Sequence, residues 1–104
     1  MLIVVGTMTV RKDARTSFLA AAQAMITASR LEPGCISYDY FESVMEEDVF
    51  HAHERWQSHE ILQEHFRKPH TGAFMKALAA SAATPPHAEI ISPAEIGPLL
   101  GSKK

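Results

Sequence analysis

A single cysteine, Cys35, leaves this chain without the means to close an internal disulfide. That scarcity suits a reducing compartment, so the expected location is cytoplasmic. No run rich in Lys and Arg stands out, and the formal net charge is only −2. Both observations argue against nucleic acid or an anionic membrane as the main partner. No apolar stretch approaches the roughly 20 residues needed to span a bilayer. The Ala-rich segment 77–83 is too short and too weakly hydrophobic to do so. The opening Met1-Leu2-Ile3-Val4-Val5 lacks the basic region and cleavage signal of a secretory leader. A soluble protein is expected.

What is present is apolar for its size. A chain of 104 residues makes one domain, and 46% of them are hydrophobic. A body this small buries only about two-thirds of its unfolded surface. Part of the apolar surface is therefore expected to lie under a second subunit.

Leu2 to Val10 is rich in β-branched residues and reads as a strand buried on one face or both. Asp13 reads as a helix N-cap. Phe18, Ala22, Met25 and Ser29 follow at helical spacing, with Leu19 and Ile26 widening the stripe. Arg30 suits the last turn, and Glu32-Pro33-Gly34 stops the helix. Cys35 to Phe41 and Val49 to Trp56 alternate like a hairpin around the polar turn 45–48. On its third strand Phe50, Ala52, Glu54 and Trp56 share one face, and Val49, His51, His53 and Arg55 the other. Ser58 caps a second helical region carrying Ile61, Leu62, His65 and Phe66. Lys68-Pro69 breaks it, since the residue before proline avoids the α conformation. Helix resumes near His70 with Phe74, Leu78 and Ala82, and Pro85-Pro86 ends it. Ala88 to Ser92 reads as a fourth strand.

The order βαββαβ predicts a ferredoxin-like α+β domain over 1–92: a four-stranded antiparallel sheet with its helices on one face. Residues 93–104 form a C-terminal arm, with Ile96, Leu99 and Leu100 and a frayed end at 101–104. Nothing in the chain remains to cover the other sheet face, so a homodimer is expected.

Several short motifs keep a fixed order along the chain. They are Glu32-Pro33-Gly34-Cys35, Glu54-Arg55-Trp56-Gln57-Ser58, Glu64-His65-Phe66, Pro69-His70 and Phe74. Together they resemble the antibiotic biosynthesis monooxygenase family, from strand one to about Ile91. The family pattern is a glycine opening strand two, Glu-x-Trp ending strand three, and a histidine followed by Pro-His on the last helix. The resemblance implies a dimeric α+β barrel with a pocket between sheet and helices of each protomer. It also implies one of three chemistries: oxidation of quinols or polyketide aromatics with O2 and no cofactor, haem breakdown, or isomerisation of small carbonyl compounds. The haem-degrading branch carries an asparagine near Thr7, a tryptophan at the position of His65 and a histidine near Met75. This chain has none of these. The asparagine of the polyketide branch is also absent, since Ala52 stands four residues before Trp56.

The chemistry can be argued without the name. A hydroquinone reacts with O2 once deprotonated, because the anion gives up an electron more readily. The protein must then supply a dry aromatic slot, a base and a donor for the developing anion. Trp56, Phe50, Tyr38, Phe66 and Phe74 are candidates for the slot, with Thr7 and His70 as further substrate-binding residues. His65 is the first candidate for the base, since its ordinary pKa of about 6.5 suits neutral pH. Glu54 is the second, if burial raises its pKa.

Each residue also has a structural reading. Trp56 can be a core anchor, and His65 a hydrogen-bonded structural histidine. Glu54 can pair with an arginine or cap a backbone amide. His70 can cap its helix or close the rim, and Tyr38 can simply pack. His51-x-His53 has the spacing of a metal pair, but it lies opposite Trp56 and lacks an evident third ligand, so no metal is expected. The expected partners are a small aromatic or carbonyl substrate, O2 and a second copy of the chain. A non-catalytic ligand-binding dimer is the reading outside enzymology.

Overall fold

Hydrophobic parity decides how this chain folds. In the computed structural model, which describes residues 1–101, the first strand is β1 (Leu2–Thr9). Its even-numbered residues Leu2, Val4, Gly6 and Met8 are buried, and its odd-numbered ones face outward. A 3-10 turn at Lys12–Ala14 leads into α1 (Arg15–Arg30). Next come the hairpin strands β2 (Cys35–Glu42) and β3 (Val49–Trp56). The helices α2 (His59–Phe66) and α3 (Pro69–Ser81) lead to β4 (His87–Ile91). The sheet is antiparallel throughout, in the order β2-β3-β1-β4. This is the expected ferredoxin-like α+β fold.

The core lies between the inner sheet face and the helices. Phe18, Ala22, Met25 and Ser29 of α1 are buried as their spacing predicts. Phe74 and Leu78 of α3 join them. Ser58 caps α2, its side chain accepting from the Ile61 amide. Pro69 occupies the first turn of α3, where its missing N–H costs nothing.

Three local expectations need correction. Asp13 is not the N-cap of α1: it lies in the 3-10 turn and accepts from Arg11 Nε at 3.1 Å. Helix α3 stops at Ser81, before the two prolines. Ala82 is extended and bridges Val10, because β1 offers the backbone a better partner there. The fourth strand begins one residue early, at His87. All five of its residues are exposed, since no helix reaches over that edge.

Two turns hold the frame. Gly34 has φ +87°, and a Cβ there would lie 2.6 Å from Ile61 Cγ2, so only glycine fits. At the hairpin, Asp48 has φ 66° and a buried carboxylate that accepts from Arg15 at 2.7 Å and Lys12 at 3.0 Å. Arg15 also forks onto both oxygens of Glu42, at 2.6 and 2.7 Å. In the arm, Ile96, Leu99 and Leu100 are exposed, and residues 102–104 of the expected frayed end lie outside the described residues.

Candidate active site

A row of small residues across the sheet leaves space above it. The register sets Tyr40 opposite Ala52, Ala52 opposite Gly6, and Gly6 opposite Ala88. Three neighbouring strands thus supply almost no side-chain volume at one level. The result is a cavity of about 370 Å³ between the sheet and the helices. Its walls are Tyr38, Tyr40, Glu54, Val4 and Met8 from the sheet, and Met25 from α1. His65, Phe66, Thr71, Phe74, Met75 and Leu78 come from α2 and α3.

The polar groups in this apolar space are few and connected. Glu32, in the turn after α1, is buried. Its Oε2 accepts from His65 Nδ1 at 2.7 Å and from His70 Nε2 at 2.6 Å. A carboxylate only accepts, so both of those ring nitrogens carry hydrogen. Nε2 of His65 is then the ring nitrogen with a free lone pair. Thr71 Oγ1 donates to the His65 carbonyl at 2.6 Å and fixes the α2–α3 junction beneath the ring. The His65 ring is 2% exposed and rests 4.5 Å from the Trp56 ring, centroid to centroid. Burial lowers its affinity for a proton below that of an ordinary histidine, against the opposing pull of Glu32.

Glu54 Oε1 accepts from Trp56 Nε1 at 2.9 Å. Burial raises the Glu54 pKa to about 7, with the Trp56 hydrogen bond acting against it and the Glu32 charge adding to it. Tyr38 and Tyr40 share a hydrogen bond of 2.6 Å between their hydroxyls. Burial raises both phenol pKa values, so both stay neutral donors. The cavity therefore joins a neutral imidazole to a carboxyl group that holds its proton up to neutrality, the arrangement by which one site runs acid and base steps together.

The residues singled out from sequence separate into two groups. His65, Glu54, Tyr38, Phe66 and Phe74 line the cavity, although Phe66 is 62% exposed and contributes only at the mouth. His70 is bound to Glu32 and lines a neighbouring hollow of about 120 Å³ between α1 and α3. Trp56 is fully buried behind Glu54 and holds it from outside the lining. Phe50 and Thr7 lie outside this cavity. Phe50 packs 4.9 Å from Phe18 under the Arg15 guanidinium, at the far end of the core. Thr7 has the outward parity of β1 and meets His51 Nδ1 at 3.2 Å on the outer sheet face.

Glu32, Tyr40 and Thr71 were not legible as site residues. Tyr40 follows Tyr38 by two positions, a period that puts both rings on one face. Glu32 gave no such signal, because its place before Pro33-Gly34 is accounted for by the helix stop. Among the described residues, Glu32, His65 and His70 could hold a metal ion, with one ligand atom each and all within 4.8 Å of one another.

A ferredoxin-like α+β domain with a few convergent polar groups set in an apolar cavity has the form of a small-molecule site. Residues 1–77 match the family described as antibiotic biosynthesis monooxygenase, and the chain belongs to that family. An uncharacterised protein of Synechocystis sp. is 34% identical over 94 residues, which cover 90% of this chain and 64% of that protein. Rv0793 of Mycobacterium tuberculosis is 43% identical over 60 residues, 58% of either chain. The chain thus spans less than two-thirds of the length of the Synechocystis protein, and the sequence match to Rv0793 is likewise partial. The solved structure of Rv0793 superposes with a TM-score of 0.87 at 30% identity, covering 93% of this chain and 98% of that one. A structure from Deinococcus radiodurans, 20% identical, shares the fold with a TM-score of 0.90 over 97% of this chain and all of its own.

Proposed function

We propose that this protein is a cofactor-independent monooxygenase that oxidises a quinol or similarly hydroxylated aromatic with O2. The observation that carries the reading is one apolar cavity holding both a neutral His65 and a Glu54 protonated up to about pH 7. Membership of a family described as monooxygenases supports it. Rv0793 is itself named as a candidate monooxygenase.

In this mechanism His65 Nε2 takes the hydroxyl proton of the substrate. Glu32, at 2.7 Å from Nδ1, keeps the ring in the required tautomer and stabilises the imidazolium that forms. The aryl-oxide transfers an electron to O2, and recombination at a ring carbon gives a peroxide. Glu54 protonates the departing oxygen, which leaves as water. The balance is quinol plus O2 giving hydroxyquinone plus water. One ring C–H becomes C–OH, and the ring ends at the quinone level. Apolar walls suit a flat aromatic and exclude water from the intermediate.

An isomerase of a small hydroxy-carbonyl compound would use the same histidine. A phosphate or carboxylate on its substrate would need a cation, and none of Arg55, Arg67 or Lys68 lines the cavity. The monooxygenase is tested with 18O2: one labelled atom is expected in the organic product and one in water. Label in hydrogen peroxide alone, or proton exchange without O2 uptake, would overturn it.

The same reading places a second copy of the chain over the outer sheet face. Phe41 and Ile91 are 54% and 42% exposed there, beside Ile3 and Val5. Light scattering at micromolar concentration is expected to give a dimer. Truncation after Ser92 is expected to weaken it, and an unaltered dimer would show that the arm is incidental.

A further inference from the structure

Two imidazoles and a carboxylate converge beside the cavity, and each comes from a different element. Glu32 lies in the turn after α1, His65 in α2, and His70 in the first turn of α3. Glu32 Oε2, His65 Nδ1 and His70 Nε2 lie within 4.8 Å of one another. Glu32 and His65 are buried, while the His70 side chain is 24% exposed and lines the 120 Å³ hollow, which gives an ion a route from solvent. Two nitrogens and one carboxylate oxygen suit a first-row divalent transition ion and not calcium or magnesium. A zinc ion about 2.0 Å from each donor would hold tetrahedral donors roughly 3.3 Å apart. The present separations are 2.7 and 2.6 Å across the two hydrogen bonds. A small rotation of the Glu32 and His70 side chains would admit the ion.

We infer that Glu32, His65 and His70 bind one zinc-class divalent ion, and that the ion silences the base. The silencing rests on the proposed role of His65; the binding does not. Without an ion, the hydrogen on His65 Nδ1 faces Glu32 and the lone pair is on Nε2. Coordination through Nδ1 displaces that hydrogen to Nε2, so the ring stays neutral. At His70 the hydrogen moves from Nε2 to Nδ1. No proton need leave, yet His65 can then donate but no longer accept. Glu32 offsets one of the two positive charges, and a water completes the coordination.

The experiment uses the tag-free, chelator-treated chain titrated with Co2+ in the absence of substrate. Visible absorption is expected to show one tightly held ion per chain, displaced by Zn2+. Nitrogen-15 NMR of the wild type is expected to report the His65 hydrogen moving from Nδ1 to Nε2. Glu32→Gln and His70→Ala should each weaken binding at least about tenfold. The double variant His51→Ala/His53→Ala, on the outer face, should keep the cobalt spectrum. Where metal-free protein turns over a quinol, saturating Zn2+ should lower the rate about a hundredfold. A cobalt spectrum that survives loss of Glu32 or His70, or that vanishes in the outer-face variant, would overturn the site. Full turnover with the ion bound would overturn the silencing. Absence of turnover in the metal-free protein would count against the monooxygenase instead, leaving cobalt binding and the NMR to judge the site.

Discussion

Filling the cavity from its floor should separate folding from function. Ala52 is the residue to change, because it lies in the small-residue row between Tyr40 and Gly6 and points into the empty space. Leucine adds three carbon atoms. At about 0.8 kcal/mol per buried CH2 they could contribute roughly 2 kcal/mol to stability. Crowding against the walls costs about 1–3 kcal/mol where a core is already full. The site holds about 370 Å³ of space, so the crowding cost should lie at the low end. The net change in Ala52→Leu is thus expected within about 1 kcal/mol of zero, a shift of no more than about 4–8 °C in Tm. The same leucine would occupy the floor of the cavity that Tyr40 and Phe74 also line, and so take the space a flat ring needs. Thermal unfolding by circular dichroism and oxygen uptake on the same preparation make the assay. A native-like Tm with the loss of most turnover is the expected pair of results. A folded variant with unchanged turnover would refute the assignment of this cavity as the site.

Other perturbations test single parts of the account. The profile of kcat/KM against pH should be bell-shaped. Its acid limb reflects protonation of His65, below the ordinary histidine range, and its alkaline limb the loss of the Glu54 proton near the pKa of about 7. Glu54→Gln should remove the alkaline limb, and an unaltered profile would exclude Glu54 from the acid step. Because the folded pKa of Glu54 is raised, folding takes up a proton, and wild-type stability should fall as pH rises from about 4.5 to about 7, by roughly 3 kcal/mol at most. Urea unfolding of Glu54→Gln should show a shallower fall over that window. Gly34→Ala forces a Cβ to 2.6 Å from Ile61 at a positive φ, and should cost about 2 kcal/mol or more in urea unfolding. A cost near zero would mean that the turn holding Glu32 is softer than its contacts imply.

Where local chemistry specified an element, the sequence was enough to place it. The alternation of Val49 to Trp56 marks β3 to the residue, and Ser58 and Pro69 mark the starts of α2 and α3. Parity on β3 correctly separated Glu54 and Trp56 from His51 and His53. Parity alone could not tell where along a face the cavity opens. Phe50 shares the face of Glu54, yet four residues of strand, about 13 Å, put it at the other end of the core. Thr7 falls on the outer face, which β1 does not reveal in advance, because its alternating pattern does not say which side is inside. Glu32 was hidden for a different reason. Its partners His65 and His70 lie 33 and 38 residues further along, and only the closed fold brings them together.

The central claim is that His65, held by Glu32, is the base for oxygen chemistry in this cavity. Oxygen consumption by the metal-stripped protein with a panel of hydroquinones, wild type against His65→Ala, tests it most directly. The account predicts uptake above the autoxidation background that survives chelation, falls about a hundredfold or more in the variant, and returns in part when free imidazole is added. Uptake that is the same in His65→Ala, in protein shown to be folded, would contradict it.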